Sequence, residues 1–149
     1  MDINELLQGV NCTCGKQHKC DIKHVAIYKG AISSLANVAE EYDDILLVAD
    51  ENTYRAAGEK TMAALAGKHL KKVIFPGSTI LIPNEGAIRS VKDQLDGVDF
   101  IVGIGSGVIQ DLCKYVSYVS GIPYGIVATA PSMDGYASTG AAMILDGMK

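Results

Sequence analysis

The chain has 149 residues and a formal net charge of −4, with 48% hydrophobic and 20% charged residues. That length fits one compact domain, and that apolar content is enough for a buried core, which excludes a disordered chain. The negative charge argues against a nucleic-acid groove or an anionic membrane surface as partner. Every apolar run ends well short of the roughly 20 residues that span a bilayer, and the first residues are acidic where a signal peptide is basic. We therefore expect a cytoplasmic protein with no nucleic-acid or membrane partner.

The N-terminal segment, residues 1–23, is a Cys-rich arm. It holds Cys12, Cys14 and Cys20, together with His18. The chain is long enough to build a core without disulfides, so we expect free thiols. The four side chains offer the ligand types of a tetrahedral zinc, although their spacing is not the usual C-x-x-C pair. A structural zinc and an arm of reduced, solvated thiols both fit this pattern.

After the arm, short apolar runs alternate with segments of helical periodicity. The apolar runs predict strands at His24–Tyr28, Ile45–Ala49, Lys72–Phe75, Phe100–Val102, Ile126–Ala128 and Ala141–Leu145. The helical patterns between them cover Ala31–Tyr42, Thr53–His69, Glu85–Leu95 and Val108–Val119. This alternation predicts an α/β fold for residues 24–149: a Rossmann-like, doubly wound, mostly parallel sheet with helices on both faces.

A glycine-rich turn follows the strand predicted at Phe100–Val102. It reads Gly-Ile-Gly-Ser-Gly over residues 103–107 and opens a helix. Glycines let a backbone approach a phosphate closely, and a helix N-terminus supplies free N–H groups and a positive dipole end. The turn is not the usual G-x-G-x-x-G. Phosphate binding and a tight turn with Ser106 as N-cap both fit it.

Two more polar elements follow predicted strands. Asp50 ends the strand at Ile45–Ala49, where an acid can bind an adenosine ribose or cap the next helix. Residues 129–140 follow the strand at Ile126–Ala128 and are rich in hydroxyls, with no Lys or Arg. A loop of this length and polarity usually covers a ligand or is mobile. Because ligands bind beyond the carboxyl ends of strands in doubly wound sheets, the three elements together predict a binding site at that edge.

These segments resemble a known family. The segment Gly105–Asp111, which reads Gly-Ser-Gly-Val-Ile-Gln-Asp, is similar to the glycine-rich element of the iron-containing alcohol dehydrogenase and dehydroquinate synthase-like superfamily. The segment Ala128–Ser138, which reads Ala-Thr-Ala-Pro-Ser-Met-Asp-Gly-Tyr-Ala-Ser, resembles the sn-glycerol-1-phosphate dehydrogenase branch, as does Val48–Thr53. The resemblance implies reduction of dihydroxyacetone phosphate to sn-glycerol 1-phosphate with NADH or NADPH.

The resemblance also implies a role for each matching residue. Asp50 would hold the adenosine ribose and Asp134 would bind the phosphate substrate. The pyrophosphate would lie on the turn formed by Gly105, Ser106, Gly107, Val108 and Ile109. Thr129 and Ser132 would line the cofactor near its nicotinamide, and Ser138 would add a further contact.

In this family a second, all-helical domain carries one Asp and two His that hold a catalytic zinc or nickel. None of His18, His24 and His69 matches those ligands, and the sequence stops at Lys149. The resemblance therefore implies that these 149 residues are the cofactor-binding half of a longer enzyme, able to fold but not to catalyse alone. An apolar face left exposed in such a half would favour homo-oligomers.

Two other functions fit the same fold. A non-catalytic nucleotide- or phosphate-binding module would use the glycine turn without chemistry. A dehydroquinate synthase-like cyclisation needs basic residues in the polar loop, and residues 129–140 contain none.

Overall fold

The computed structural model describes residues 3, 7, 9–18, 21–133 and 135–148. The chain divides into two compact units, Met1–Ala31 and Ile32–Lys149. In the first unit, β1 (Val10–Asn11) and β2 (Gln17–His18) form an antiparallel hairpin.

The second unit is built on a four-stranded parallel sheet. Its strands are β3 (Asp44–Asp50), β4 (His69–Phe75), β5 (Phe100–Gly105) and β6 (Tyr124–Ala128), in the order β4-β3-β5-β6. The helices are α1 (Leu35–Val38), α2 (Glu51–Ala64), α3 (Glu85–Lys92) and α4 (Gly107–Ser120), with 3-10 turns at Ala31–Ser34 and Gly135–Ala137. The predicted α/β fold with a parallel sheet is confirmed. Across the described residues, no helix has the length and apolarity of a membrane span.

Helices cover both faces of the sheet, as the side chains of β3 show. Leu46 and Val48 lie in one core with buried residues of α3 and α4. Ile45, Leu47 and Ala49 lie in a second core with buried residues of α1 and α2. Because alternate residues of a strand face opposite sides, this division produces the continuous apolar run that the sequence shows.

The strand order creates a switch point between β3 and β5. The chain passes from β3 outward to β4, then returns to place β5 on the other side of β3. The carboxyl ends of β3 and β5 therefore flank a crevice between helices that leave toward opposite faces. Asp50 ends β3 and Gly105 ends β5.

Two predicted strands are wrong. Residues 21–27 form neither strand nor helix, and the Ile27 and Tyr28 side chains are 77% and 60% exposed. Within Ala141–Leu145, only single bridges form, from Ile144 to Asn84 and from Leu145 to Met148. An apolar run becomes a strand only where a neighbouring strand can take up its backbone hydrogen bonds, and neither segment has such a ladder among the described residues.

The predicted helices are placed correctly but their ends differ. Helix α2 begins at Glu51 instead of Thr53 because Asp50 caps it, and it ends at Ala64. The positive φ of Gly67, +88°, turns the chain so that His69 starts β4. The first predicted helix, Ala31–Tyr42, is reduced to a 3-10 turn and the four residues of α1.

Glycines in β5 let helix α4 lie close against the sheet. A Cβ on Gly105 would lie 2.5 Å from both Cβ and Cγ1 of Ile109. A Cβ on Gly103 would lie 2.9 Å from the Sγ of Cys113 and 2.9 Å from the Cδ1 of Ile126. Burial raises the pKa of Cys113 to about 12, so this thiol stays protonated and packs as a small apolar group.

The close packing predicts opposite results for two glycine substitutions. Gly105→Ala should lower the free energy of unfolding by ~1–3 kcal/mol, because the methyl group meets the Cβ of Ile109, which moves only if α4 moves. Gly107→Ala is the matched control, since its Cβ meets only the Cε of Met133, at 2.6 Å. That flexible tip can move aside, so the change should stay within ~0.5 kcal/mol. Urea unfolding followed by circular dichroism measures both, and equal losses would contradict this account.

Candidate cofactor-binding site

Asp50 caps helix α2 from the end of β3. Its Oδ1 accepts hydrogen bonds from the backbone N–H of Asn52 at 2.8 Å and of Thr53 at 2.9 Å. Thr53 Oγ1 in turn accepts from the N–H of Asp50 at 3.1 Å, which completes a capping box. Both capping bonds to the carboxylate use Oδ1, so Oδ2 takes no part in the cap. The cap holds the carboxylate in one orientation and still leaves an acceptor for a ligand.

The N-terminus of α4 lacks the side-chain cap that α2 and α3 have. In α3, the Oδ1 of Asn84 accepts from the N–H of Ala87 at 3.1 Å. Ser106 occupies the N-cap position of α4 with extended backbone, yet its side chain makes no capping bond. The first helical bond runs from the N–H of Gln110 to the carbonyl of Ser106, at 3.0 Å. The N–H groups of residues 107–109 precede that bond, and donors at such a helix end suit an anion.

The polar loop 129–140 is attached to the glycine turn. The N–H of Thr129 donates to the carbonyl of Gly105 at 3.1 Å. The hydroxyl of Tyr136 lies 3.2 Å from the same carbonyl and 3.3 Å from the carbonyl of Ala130. The fold thus brings the loop to the carboxyl end of β5.

Lys114, on α4, anchors the second half of the loop, and the sequence analysis did not single it out. Its Nζ donates to the carbonyl oxygens of Ser138 at 2.7 Å, Gly140 at 2.9 Å and Gly135 at 3.5 Å. It also lies 3.3 Å from the Oγ of Ser138. Lys114 is seven residues after Gly107, so both lie on one face of the helix. This spacing is the feature of the sequence from which Lys114 could have been predicted to lie near the glycine turn.

Gln110 is a second residue that the sequence analysis missed. Its side chain is 1% exposed, and its Nε2 donates to the hydroxyl of Tyr124 at 3.0 Å and to the carbonyl of Tyr136 at 3.4 Å. Its Oε1 is buried without a partner among the described residues. A buried acceptor without a donor costs ~1–3 kcal/mol, and residues near binding sites often carry such a cost. Through its hydrogen bond to the carbonyl of Tyr136, Gln110 ties α4 to the loop.

The other predicted residues differ in their surroundings. Val108 is half-buried, whereas Ile109 is buried in the core and can offer a ligand only its backbone. Ser132 is exposed, and the exposed Ser138 donates from Oγ to the carbonyl of Gly140 at 2.8 Å. Asp134 lies outside the described residues.

The described residues do not fit the catalytic metal of the family. Their only cluster of three or more metal-ligand side chains is formed by Cys12, Cys14 and His18, in the N-terminal unit. His69 has its Nδ1 3.4 Å from Asp44 Oδ1, at the amino ends of β3 and β4, away from the carboxyl ends where the candidate cofactor site lies. No set of one Asp and two His is assembled among the described residues.

The anchoring role of Lys114 predicts a local effect of its removal. Lys114→Met should speed hydrogen exchange of the backbone amides between residues 135 and 140 by roughly tenfold, the equivalent of losing one hydrogen bond to a charged group. Lys60→Met, at an exposed position of α2, is the matched control. Mass-spectrometric hydrogen exchange measures both variants. Unchanged exchange in the Lys114 variant would show that the loop is held by other contacts.

Two proteins with related sequences are dehydrogenases by name. The glycerol-1-phosphate dehydrogenase (NAD(P)+) of Halalkalibacterium halodurans is 32% identical over 146 residues, which are 93% of this chain and 37% of that protein. The enzyme of the same name from Picrophilus torridus is 32% identical over 128 residues, 83% of this chain and 35% of that protein. The chain thus spans little more than a third of the length of these relatives.

Solved structures show the same fold. YqhD of E. coli K-12 matches with a TM-score of 0.65 at 18% identity, over 77% of this chain and 35% of that one. A probable glycerol dehydrogenase from Sinorhizobium meliloti 1021 matches with a TM-score of 0.57 at 25% identity, over 70% of this chain and 28% of that one. The sequence profile of the iron-containing alcohol dehydrogenases matches residues 26–149. The chain belongs to the iron-containing alcohol dehydrogenase family.

Proposed function

We propose that the chain is the cofactor-binding part of an NAD(P)-dependent glycerol-1-phosphate dehydrogenase, which reduces dihydroxyacetone phosphate to sn-glycerol 1-phosphate. The observation that carries the proposal is the convergence of three elements at one sheet edge. Asp50 ends β3, and the loop at residues 129–140 follows β6. Strand β5 runs to Gly105, beyond its predicted end at Val102, so only Ser106 and Gly107 of the predicted glycine turn follow it. The three strands β3, β5 and β6 are neighbours in the sheet. The names of the relatives support the same activity.

The glycine turn is suited to the pyrophosphate of the cofactor. The N–H groups of Gly107, Val108 and Ile109 precede the first bond of α4, and the side chain of Ser106 does not cap them. These three donors and the positive end of the helix dipole favour an anion at this position. Gly105 serves the site indirectly, because its missing side chain lets α4 lie where these donors face the crevice.

Asp50 is suited to the adenosine ribose. It ends the strand next to β5, and the capping bonds to Oδ1 fix the carboxylate while Oδ2 is outside the cap. A carboxylate oxygen accepts hydrogen bonds from a ribose diol. Its negative charge opposes a 2′-phosphate, so Asp50 favours NAD over NADP by charge.

The loop forms the nicotinamide and substrate side of the site. Thr129 starts the loop on the carbonyl of Gly105, and Lys114 holds the backbone of Ser138. In the proposed role, Thr129, Ser132 and Ser138 contact the cofactor, and Asp134 contacts the phosphate substrate. NAD(P)H supplies the hydride when bound, and the chain contributes binding and orientation.

In the proposed enzyme, one Asp and two His that the described residues do not provide would hold the zinc or nickel of the family. We therefore expect the 149-residue chain to bind cofactor without turning over substrate. Self-association of the chain stays a prediction. The cytoplasmic location stays a prediction.

Asp50→Asn separates the cofactor role of Asp50 from its structural role. Asn caps helices as well as Asp does, so stability should hold within ~0.5 kcal/mol. Removing the charge should lower affinity for NADH and raise the NADPH-to-NADH affinity ratio about fivefold, which corresponds to ~1 kcal/mol of repulsion between unit charges in water. Fluorescence titration with each cofactor measures this, with Glu59→Gln on the exposed face of α2 as control. If Asp50→Asn and Glu59→Gln bind NADH and NADPH with the same affinities, Asp50 does not belong to the cofactor site.

Cofactor oxidation with dihydroxyacetone phosphate distinguishes the two functions that remain. We expect no turnover by the chain alone, with or without added zinc or nickel, and turnover by a protein in which it is joined to a domain with one Asp and two His ligands. Cofactor binding without turnover in both proteins would favour the non-catalytic nucleotide-binding module. Clear turnover by the chain alone would contradict the division of labour proposed above.

A further inference from the structure

The cysteine and histidine side chains of the N-terminal hairpin are not used by the cofactor site. One ligand atom from each of Cys12, Cys14 and His18 can be chosen so that all three lie within 4.8 Å of one another. The Sγ of Cys14 is 3.1 Å from the Nε2 of His18. Ligands at ~2.0–2.3 Å from a tetrahedral zinc lie roughly 3.3–3.8 Å from each other. Shifts of about an ångström would therefore seat an ion among the three atoms.

The backbone of the hairpin explains this convergence. Cys12 follows β1 directly and His18 ends β2, which pairs antiparallel with β1 through Val10 and His18. The turn between the strands is closed by the N–H of Gly15, which donates to the carbonyl of Cys12 at 3.0 Å. Gly15 has a φ of +77°, the left-handed region that a residue with a side chain rarely adopts. This turn returns the chain so that Cys14 and His18 meet on one side.

The turn of the hairpin is where a stabilising ion would act. Each of its strands has two residues, and residues 12 to 18 are exposed. A two-stranded hairpin is marginally stable in water. A metal ion bound to both strands and to the turn between them would supply the missing free energy, because binding to a site formed only in the folded state stabilises that state.

The ligand chemistry favours zinc. Two sulfurs and one imidazole nitrogen are the donor types of structural zinc sites. The three residues leave one position of a tetrahedron for a further donor or water. Cys20, the fourth ligand suggested by the sequence, lies outside the described residues and is not part of the proposed set.

We propose that Cys12, Cys14 and His18 bind a zinc ion that closes the N-terminal hairpin. The proposal does not depend on the dehydrogenase function. It assigns the ion a structural role, in which it joins the end of β1, the turn and the end of β2.

Zinc content of the chain tests the proposal. Protein purified under reducing conditions, without chelator and with added zinc, should hold about one zinc ion per chain after gel filtration. Cys12→Ser, Cys14→Ser and His18→Ala should each reduce that content at least about tenfold, because each removes one of three ligands. Cobalt in place of zinc should give the absorption of a tetrahedral thiolate complex, and this should be lost in the Cys14 variant.

Two matched variants control for the residue types. Cys113→Ala removes a thiol buried in the core, and His69→Ala removes an exposed imidazole at the start of β4. Both should keep the zinc. Zinc removal should also speed amide hydrogen exchange over residues 10–18 in the parent chain and leave the sheet unaffected. Absence of zinc from the parent chain would overturn the proposal, as would zinc retained in all three ligand variants or lost equally in the controls.

Discussion

The approach of helix α4 to strand β5 is the constraint on which the proposed site depends. Two positions of β5 face the helix without a side chain, Gly103 and Gly105, and any Cβ there would overlap the helix or its neighbours. Dense packing of this kind fixes the axis of a helix to within small tolerances. Since α4 starts two residues after β5 ends, its position along the sheet and its N-terminus are set together.

Three successive parts of helix α4 contribute to the proposed site and to the loop beside it. Its first turn presents backbone donors, its second turn carries Gln110, and Lys114 follows one turn later. Gln110 and Lys114 hold different parts of the same loop, through the carbonyls of Tyr136 and Ser138. One helix therefore carries the proposed anion site and also fixes the segment that borders it. The loop is therefore attached to the sheet through α4, although it has almost no regular secondary structure of its own.

The fold was predictable where burial of both faces of an element produces a continuous apolar run in the sequence. The run Ile45–Ala49 is apolar at every position because both faces of β3 are covered, and its strand was predicted correctly. The run His24–Tyr28 is similar in composition but forms no ladder. Periodicity reports how apolar a segment is, whereas strand formation depends on a partner elsewhere in the chain.

The candidate site was predictable in part for the same reason. Asp50 and the glycine turn follow strands directly, so their location at the sheet edge follows from topology alone. For Asp50, the two interpretations open in the sequence are compatible, because the cap uses Oδ1 alone. Lys114 and Gln110 act on residues that lie 14 to 26 positions further along the chain, and such contacts exist only once α4 and the loop are placed in space.

Lys114 has an electrostatic consequence beyond holding the backbone. Its Nζ donates to neutral carbonyl oxygens and one hydroxyl, whereas the ion pairs of the described residues join Lys68 to Asp43 and His69 to Asp44. The ammonium group of Lys114 thus lies against peptide carbonyls of the loop. Residues 129–140 contain no Lys or Arg, so the positive charge held against these carbonyls comes from α4. For the phosphate substrate proposed above, this charge would add an attraction that the composition of residues 129–140 does not reveal.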